Sequence, residues 1–146
     1  MINDKKIVAF ICECNPFHEG HKRLIKSALK EGDIIIAIMS GNFVQRGEPA
    51  IYDKYSRAKK LLKNGISMVI ELPVEFSLSS AKYFAKSSVK ILDELSFVDK
   101  IIFGSKINSI DALSSFADLN IKSKNDSKIK ELLKSGMSYS KALSNI

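Results

Sequence analysis

The sequence predicts an α/β fold built on a parallel sheet, and three observations carry that prediction. The apolar runs KIVAFIC (Lys6–Cys12) and IIIAIM (Ile34–Met39) are continuous rather than alternating, as in strands buried on both faces. Segments of helical periodicity separate such runs, and strand–helix–strand at this spacing implies right-handed crossovers between parallel strands. The chain has 146 residues, 45% of them hydrophobic and 27% charged, which suits one domain with at most a short appendage.

The elements follow in order. Asn15-Pro16 breaks the first strand. Glu19 to Glu31 turns helical, with Leu24, Ile25, Ala28 and Leu29 on one side, and Gly32-Asp33 stops it. Ile34 to Met39 is the second strand. Ser40 to Ala50, with two glycines and a proline, is a loop. Tyr52 to Asn64 is the second helix, with Asp53 suited to cap it and Gly65 to end it. SMVIEL (Ser67–Leu72) is the third strand, closed by Pro73. A third helix runs from Ser79 or Ser80 to Leu95, with Ala81, Phe84, Ala85, Val89 and Leu92 near helical spacing. VDKIIF (Val98–Phe103) is a fourth strand, followed by Gly104-Ser105. Ile110–Leu119, Ser127–Lys134 and Tyr139–Ile146 read as short helices. The expected division is an α/β domain over 1–106 and a helical extension over 107–146.

Lys and Arg number 23 against 16 acids, a net charge of +7, and the arginines are Arg23, Arg46 and Arg57. Residues 120–146 hold six lysines against Asp126 and Glu131. Such a balance suits nucleic acid, and a solvated lysine surface gives the same count. There is no apolar run of ~18 residues, which excludes a transmembrane helix. MINDKK lacks the layout of a secretory signal, so the expected compartment is the cytoplasm. Cys12 and Cys14, two apart in a strand-like segment, are poorly placed for a disulfide and complete no zinc cluster. They read as free thiols.

Ligands on parallel sheets bind outside the carboxyl ends of the strands, near the switch in strand order. Three loops fall on that edge: Glu13–Gly20, Ser40–Pro49 and Gly104–Lys106. In the first, His18 and His21, the chain's two histidines, bracket Gly20 at a helix start. Gly20 permits close approach of a ligand to the backbone. The helix terminus offers unpaired N–H groups and a positive dipole end, and imidazoles donate to phosphate oxygens. Phosphate chemistry is the leading reading. A metal pair lacks a third ligand at this spacing, and a purely structural role is the bland alternative.

In the second loop Gly41 and Gly47 permit tight turns. Asn42 and Gln45 suit a small acyl group or a base edge, and Arg46 suits a phosphate or carboxylate. The alternative is a polar loop held by its own hydrogen bonds. Arg57 reads equally as a structural ion pair or an RNA contact. Glu71, at a strand end, reads more readily as a cap than as a catalyst. Phe17, Phe76, Tyr83 and Phe84 suit base stacking or core packing.

His18-Glu19-Gly20-His21 after a buried strand resembles the H-x-G-H signature of the nucleotidyltransferases and class I aminoacyl-tRNA synthetases. ECNPFHEGH, MSGNFVQRGEPAIYDKYSRAKKLLKNGISMVIELP, SAKYFAKSSVKIL and VDKIIFGSK together resemble the tRNA(Met) cytidine acetate ligase family. The match runs from about Lys6 to Ser105 and more weakly through LLKSGMSYSKA. The resemblance implies a Rossmann-like parallel sheet with flanking helices and a short helical C-terminal segment. It implies an enzyme that adenylates acetate with ATP and passes the acetyl group to N4 of the wobble cytidine of elongator tRNA(Met). It puts His18 and His21 on the phosphates. It puts ATP along Ile11, Cys12, Glu13, Cys14, Asn15, Pro16, Phe17, His18, Glu19, Gly20, His21, Lys22, Arg23 and Leu24, with Gly104 against the nucleotide. Mg2+ is expected with ATP, without an identifiable protein ligand. Ser40, Gly41, Asn42, Gln45, Arg46 and Arg57 become candidates for the acyl or tRNA substrate.

Family members run to several hundred residues, continuing with a Pro-Asn-Asn stretch, a further strand, an Arg-bearing phosphate loop and a helical region. Cys14 stands where the family usually has an aromatic, and Lys106 where an acid usually follows Gly-Ser. The run Lys134-Ser135-Gly136-Met137-Ser138 lacks the residue order of the mobile synthetase loop it superficially resembles. Two other readings stand beside the ligase. One is a non-catalytic nucleotide- or RNA-binding remnant, or a subunit needing a separate C-terminal partner. The other is a nucleotidyltransferase with a different acid or acceptor. Homo-oligomer formation through uncovered apolar surface is expected.

Overall fold

The computed structural model describes residues 3–45, 47–105, 109–122, 127–138 and 141–142. Its elements are β1 (Ile7–Cys12), α1 (Glu19–Glu31), β2 (Ile34–Ser40), α2 (Lys54–Lys63), β3 (Met68–Leu72), α3 (Val74–Ser77), α4 (Ala81–Glu94), β4 (Lys100–Ile101), α5 (Ile110–Lys122) and α6 (Ser127–Lys134). The strands form one sheet in the order β3-β2-β1-β4, with every neighbouring pair parallel. Ile7 pairs with Ile34 through to Cys12 with Met39, and Ile36 pairs with Met68 through to Ser40 with Leu72.

The continuous apolar runs are explained by two covered faces. Val8, Phe10, Cys12, Ile35, Ala37 and Met39 point to one face, where Ile25 and Ala28 of α1 and Leu61 of α2 close over them. Ile7, Ala9, Ile36, Ile38 and Leu72 point to the other, where Leu92 of α4 packs. The chain steps from β1 to β2 to β3, then returns through α4 to lay β4 on the far side of β1. The switch point therefore lies between the carboxyl ends of β1 and β4.

Several boundaries differ from the sequence reading for local reasons. The fourth strand is Lys100–Ile101 rather than Val98–Phe103. The Asp99 carboxylate accepts the Ile7 N–H at 2.8 Å, so a side chain occupies the ladder position that a strand carbonyl would fill. That bond also holds the Asp99 carboxyl below its ordinary pKa. The second helix starts at Lys54 because Asp53 is its N-cap, accepting the Ser56 N–H at 2.9 Å. Gly65 follows at φ +100°, pressed against Leu29.

The one-turn helix α3 after Pro73 has only four residues, too few to carry a helical periodicity in the sequence. On α4 the buried positions are Ser88 and Leu92, with Phe84 and Ile91 beside them, whereas Val89 is 45% exposed. Ser88 reaches the core because its hydroxyl donates to the Phe84 carbonyl at 2.8 Å.

The chain divides into two compact units, Met1–Gly104 and Ser105–Ile146. The second contains α5 and α6, with Ile129 and Ala142 buried. Most of the helix expected over 139–146 lies outside the described residues. Among the described residues no helix is long and apolar enough to cross a membrane.

Because Phe10 is fully buried in the sheet, Phe10→Ala is expected to cost about 3–5 kcal/mol in urea unfolding of the chain. Phe103→Ala, at a position 67% exposed, is expected to stay within about 0.5 kcal/mol of the parent.

Candidate active site

The loop after β1 turns through a cis Asn15-Pro16 peptide and enters α1 at an imidazole cap. His18 Nδ1 accepts the Gly20 N–H at 3.0 Å, and His21 Nδ1 accepts the His18 N–H at 3.2 Å. The rings lie 3.9 Å apart, centroid to centroid. With both Nδ1 atoms accepting, each neutral ring carries its proton on Nε2. The cap corrects one expectation. Most amides of the first turn are already engaged: Gly20 N–H goes to the imidazole, and those of His21 and Lys22 go to the His18 carbonyl. What this helix start offers is imidazole N–H together with the positive end of the helix.

Gly20 also has a reason the sequence did not suggest. A Cβ there would lie 2.7 Å from His18 Cε1, so glycine makes room for the capping ring. Phe17 stacks on His21 at 5.6 Å with 19° between the planes. Glu19 pairs with Lys22 at 2.5 Å.

The first and second loops are stitched together. Glu13 Oε1 accepts the Gln45 N–H and Asn15 Oδ1 accepts the Ile51 N–H, each at 2.7 Å. Arg57 of α2, 2% exposed, completes the seam. It donates to the carbonyls of Glu13 at 2.6 Å, Tyr52 at 2.9 Å and Gly41, and its Nη1 lies 3.5 Å from Ser40 Oγ. The expected RNA contact or ion pair at Arg57 is thereby corrected: the side chain is buried and spends its donors on backbone.

The second loop is largely structural too. Ser40 is buried. Gly41 faces Glu71, whose Oε1 would lie 2.4 Å from an added Cβ, so a larger residue there would push that carboxylate aside. The turn glycine is Gly47, at φ +82°. Asn42 Oδ1 accepts the Lys54 N–H at 2.9 Å, committing its carbonyl to the start of α2. Glu71 pairs with the Lys54 ammonium at 2.6 Å, an ion pair rather than the cap of the next turn expected of it. Arg46 and Lys106 lie outside the described residues.

Within the segment Ile11–Leu24, Cys12 and Cys14 are buried in the core, and Ile11 and Leu24 pack against it. Pro16, His18, Glu19, Gly20 and Arg23 are exposed. Gly104 ends the first unit with open space where a Cβ would be, so no packing demands a glycine there. A cavity of about 400 Å³ opens beside the loop, lined by Pro16, Phe17, Tyr52, Ser56, Arg57 and Lys60. Ser56 and Lys60, four residues apart, share one side of α2, and Tyr52 precedes its N-cap.

Cys12 and Cys14 are free, as expected. Cys14 adopts φ +50°. Hydrogen bonding from the Cys12 thiol, followed by the influence of His21 and Arg57, outweighs burial and lowers its pKa to about 6. The same pairing, with burial, drives Cys12 well above its ordinary value.

Comparison with known proteins agrees with this architecture. The HIGH Nucleotidyl Transferase family matches residues 5–146. The tRNA(Met) cytidine acetate ligase of Thermoanaerobacter sp. (strain X514) is 46% identical over 140 residues, 93% of this chain and 35% of that protein. That of Clostridium kluyveri is 44% identical over 144 residues, 96% of this chain and 35% of the relative. The crystal structure of Thermotoga maritima TmcAL bound with alpha-thio ATP superposes with a TM-score of 0.81 at 39% identity, covering 94% of this chain and 34% of that one. The chain thus spans about a third of the length of the curated relatives it matches.

Two outcomes are expected of this site. Arg57→Met orphans the buried Gly41 carbonyl and the partly buried carbonyls of Glu13 and Tyr52 and should cost about 2–4 kcal/mol in chemical denaturation, with Arg57→Lys recovering only part, since one ammonium cannot span them. The folded-state pKa of Cys14 is depressed, so its contribution to stability is complete above the ordinary thiol value of 9.0 and is lost as pH falls toward about 6. The melting temperature should therefore climb across that window, and Cys14→Ala should flatten the climb.

Proposed function

The chain belongs to the HIGH nucleotidyl transferase family, and from that premise we propose that it binds ATP and forms acetyl-adenylate as part of a tRNA(Met) cytidine acetate ligase. The observation that carries this reading is the reciprocal imidazole cap. It spends both Nδ1 atoms on backbone and leaves the Nε2–H of His18 as a donor at the start of α1, while His21 also bonds the Cys14 thiol.

Acetate attacks the α-phosphorus of ATP through a carboxylate oxygen. The α–β phosphoanhydride bond breaks, and pyrophosphate leaves. Negative charge builds on the phosphoryl oxygens in that step, and preorganised imidazole donors stabilise it there. Lys22 is paired with Glu19, and Arg23 adds positive charge just past the first turn of α1. Gly104, at the switch point with open space about it, leaves the backbone accessible to the nucleotide. The cytidine N4 amine then attacks the acyl carbon, the bond to AMP breaks, and a proton leaves the amine. Elongator tRNA(Met) is the acceptor in this reading, which places the protein in the cytoplasm. Among the described residues no three His, Cys, Asp or Glu side chains converge as a metal cage. A magnesium ion accompanying ATP would take its ligands from phosphate oxygens and water.

The test is acetate-dependent exchange of labelled pyrophosphate into ATP, run on the chain and on His18→Asn. Asparagine caps a helix as well as any residue but lacks the Nε2 donor. Exchange is expected to fall about 10²–10³-fold in the variant with the melting temperature preserved. Undiminished exchange would remove His18 from the chemistry. Calorimetric ATP binding by the parent chain without exchange would instead favour the nucleotide-binding subunit that needs a separate partner.

A further inference from the structure

The cavity lined by Pro16, Phe17, Tyr52, Ser56, Arg57 and Lys60 shares Pro16 and Phe17 with the segment expected to hold ATP, but its other four residues lie outside that segment. Its volume, about 400 Å³, falls within the ~300–1,000 Å³ range of small-ligand pockets. Two aromatic rings border it. Phe17 also stacks on His21, so the cavity is one ring removed from the imidazole pair. Tyr52 is 57% exposed and offers its ring to solvent.

The charge beside the cavity has one sign. α2 reads KYSRAKKLLK, with five basic residues and no acid. Arg57 is committed to carbonyls, and Lys54 to Glu71. Among the described residues Lys59, Lys60 and Lys63 form no ion pair. The lysines without an ion pair, Lys59 to Lys63, span about 6 Å along the helix axis. Such a cluster suits the phosphates that flank a base along a nucleic-acid strand. Tyr55, 76% exposed, adds a further ring on the same helix.

We propose that this cavity seats an unstacked nucleobase of a single-stranded RNA segment whose phosphates track the lysines of α2. Aromatic walls accept any base by its face, and lysines hold the strand without reading it. A duplex presents no free base face and cannot fill the cavity. The inference rests on the RNA half of the proposed function and deepens it: it assigns the acceptor base a seat one aromatic ring from His21. It does not depend on the adenylation half.

The test uses a fluorescent RNA hairpin with an unpaired loop and a fully paired duplex of equal length, titrated with the chain across a salt series. The hairpin is expected to bind more tightly than the duplex. Tyr52→Ala should weaken hairpin binding about tenfold. Lys60→Gln should reduce the slope of log affinity against log salt by about 0.7. Lys86→Gln, on α4, should change neither. A 4-thiouridine in the loop should crosslink to the peptide carrying Phe17 or Tyr52.

Equal binding of hairpin and duplex would overturn the proposal, as would wild-type behaviour of both cavity variants or no RNA binding at all. Displacement of the hairpin by ATP would also overturn it, assigning the cavity to the nucleotide. ATP binding measured on the same parent protein separates the two readings. Retained ATP binding without the loop preference sinks only this inference. The loop preference without ATP binding sinks only the adenylation reading.

Discussion

The guanidinium of Arg57 joins the loop after β1, the loop after β2 and the start of α2, and the site features on this edge lean on that junction. A buried cation is costly unless its donors are met. Here the carbonyls of Glu13, Gly41 and Tyr52 meet them. Burial still lowers the arginine's pKa, and of the groups that raise it again Cys14 comes first. The lowered thiol of Cys14 and the buried guanidinium therefore favour each other's charged form. That coupling gives a polar interior to the one end of the sheet where the chain must be irregular, while the apolar faces below remain dry.

The consequences run outward from the seam. Glu13 and Asn15 hold the second loop by its backbone, so the first loop cannot shift without the second. Asn42 and Asp53 cap α2 from outside it, which fixes the helix that carries Arg57. His18, His21 and Phe17 thus stand on a loop braced from behind by structural polar residues. Several positions with the look of substrate contacts are the bracing. Preorganised donors of this kind need that rigidity, because stabilisation of developing charge depends on donors that do not have to move.

The strands were legible because burial on both faces leaves a run of β-branched and aliphatic residues that no amphipathic helix would show. The His loop was legible because two imidazoles around a glycine are rare at a helix start. What escaped depended on partners distant in sequence. Gly41 reads as a turn glycine until Glu71 is seen against its Cα. Arg57 reads as a surface cation until the carbonyls around it are counted. Ser88 reads as polar, and only its bond to the preceding turn lets it face the core. Asp99 shortens β4 by acting on Ile7, at the other end of the first unit. Residue type shows what a side chain can do; the fold decides which of its options remain open.

The imidazole cap shows why histidine, and not a stronger capping residue, suits this position. Asp, Asn and Ser all cap helices well, and a glutamate usually returns the bond in a capping box. Each would satisfy the amides, but an Asp or Glu would also present negative charge to an incoming triphosphate. Histidine accepts with Nδ1 and keeps a donor on the opposite side of the ring. The reciprocal pair His18/His21 performs the helix-capping work of a Ser-x-x-Glu box while reversing the polarity shown to the ligand. Capping also fixes the tautomer, a task that elsewhere falls to a neighbouring carboxylate. Gly20 is the steric condition for all of it, since any Cβ at that position meets the His18 ring. Helix geometry, donor polarity and the glycine between the histidines are consequences of one hydrogen bond, from Gly20 to His18.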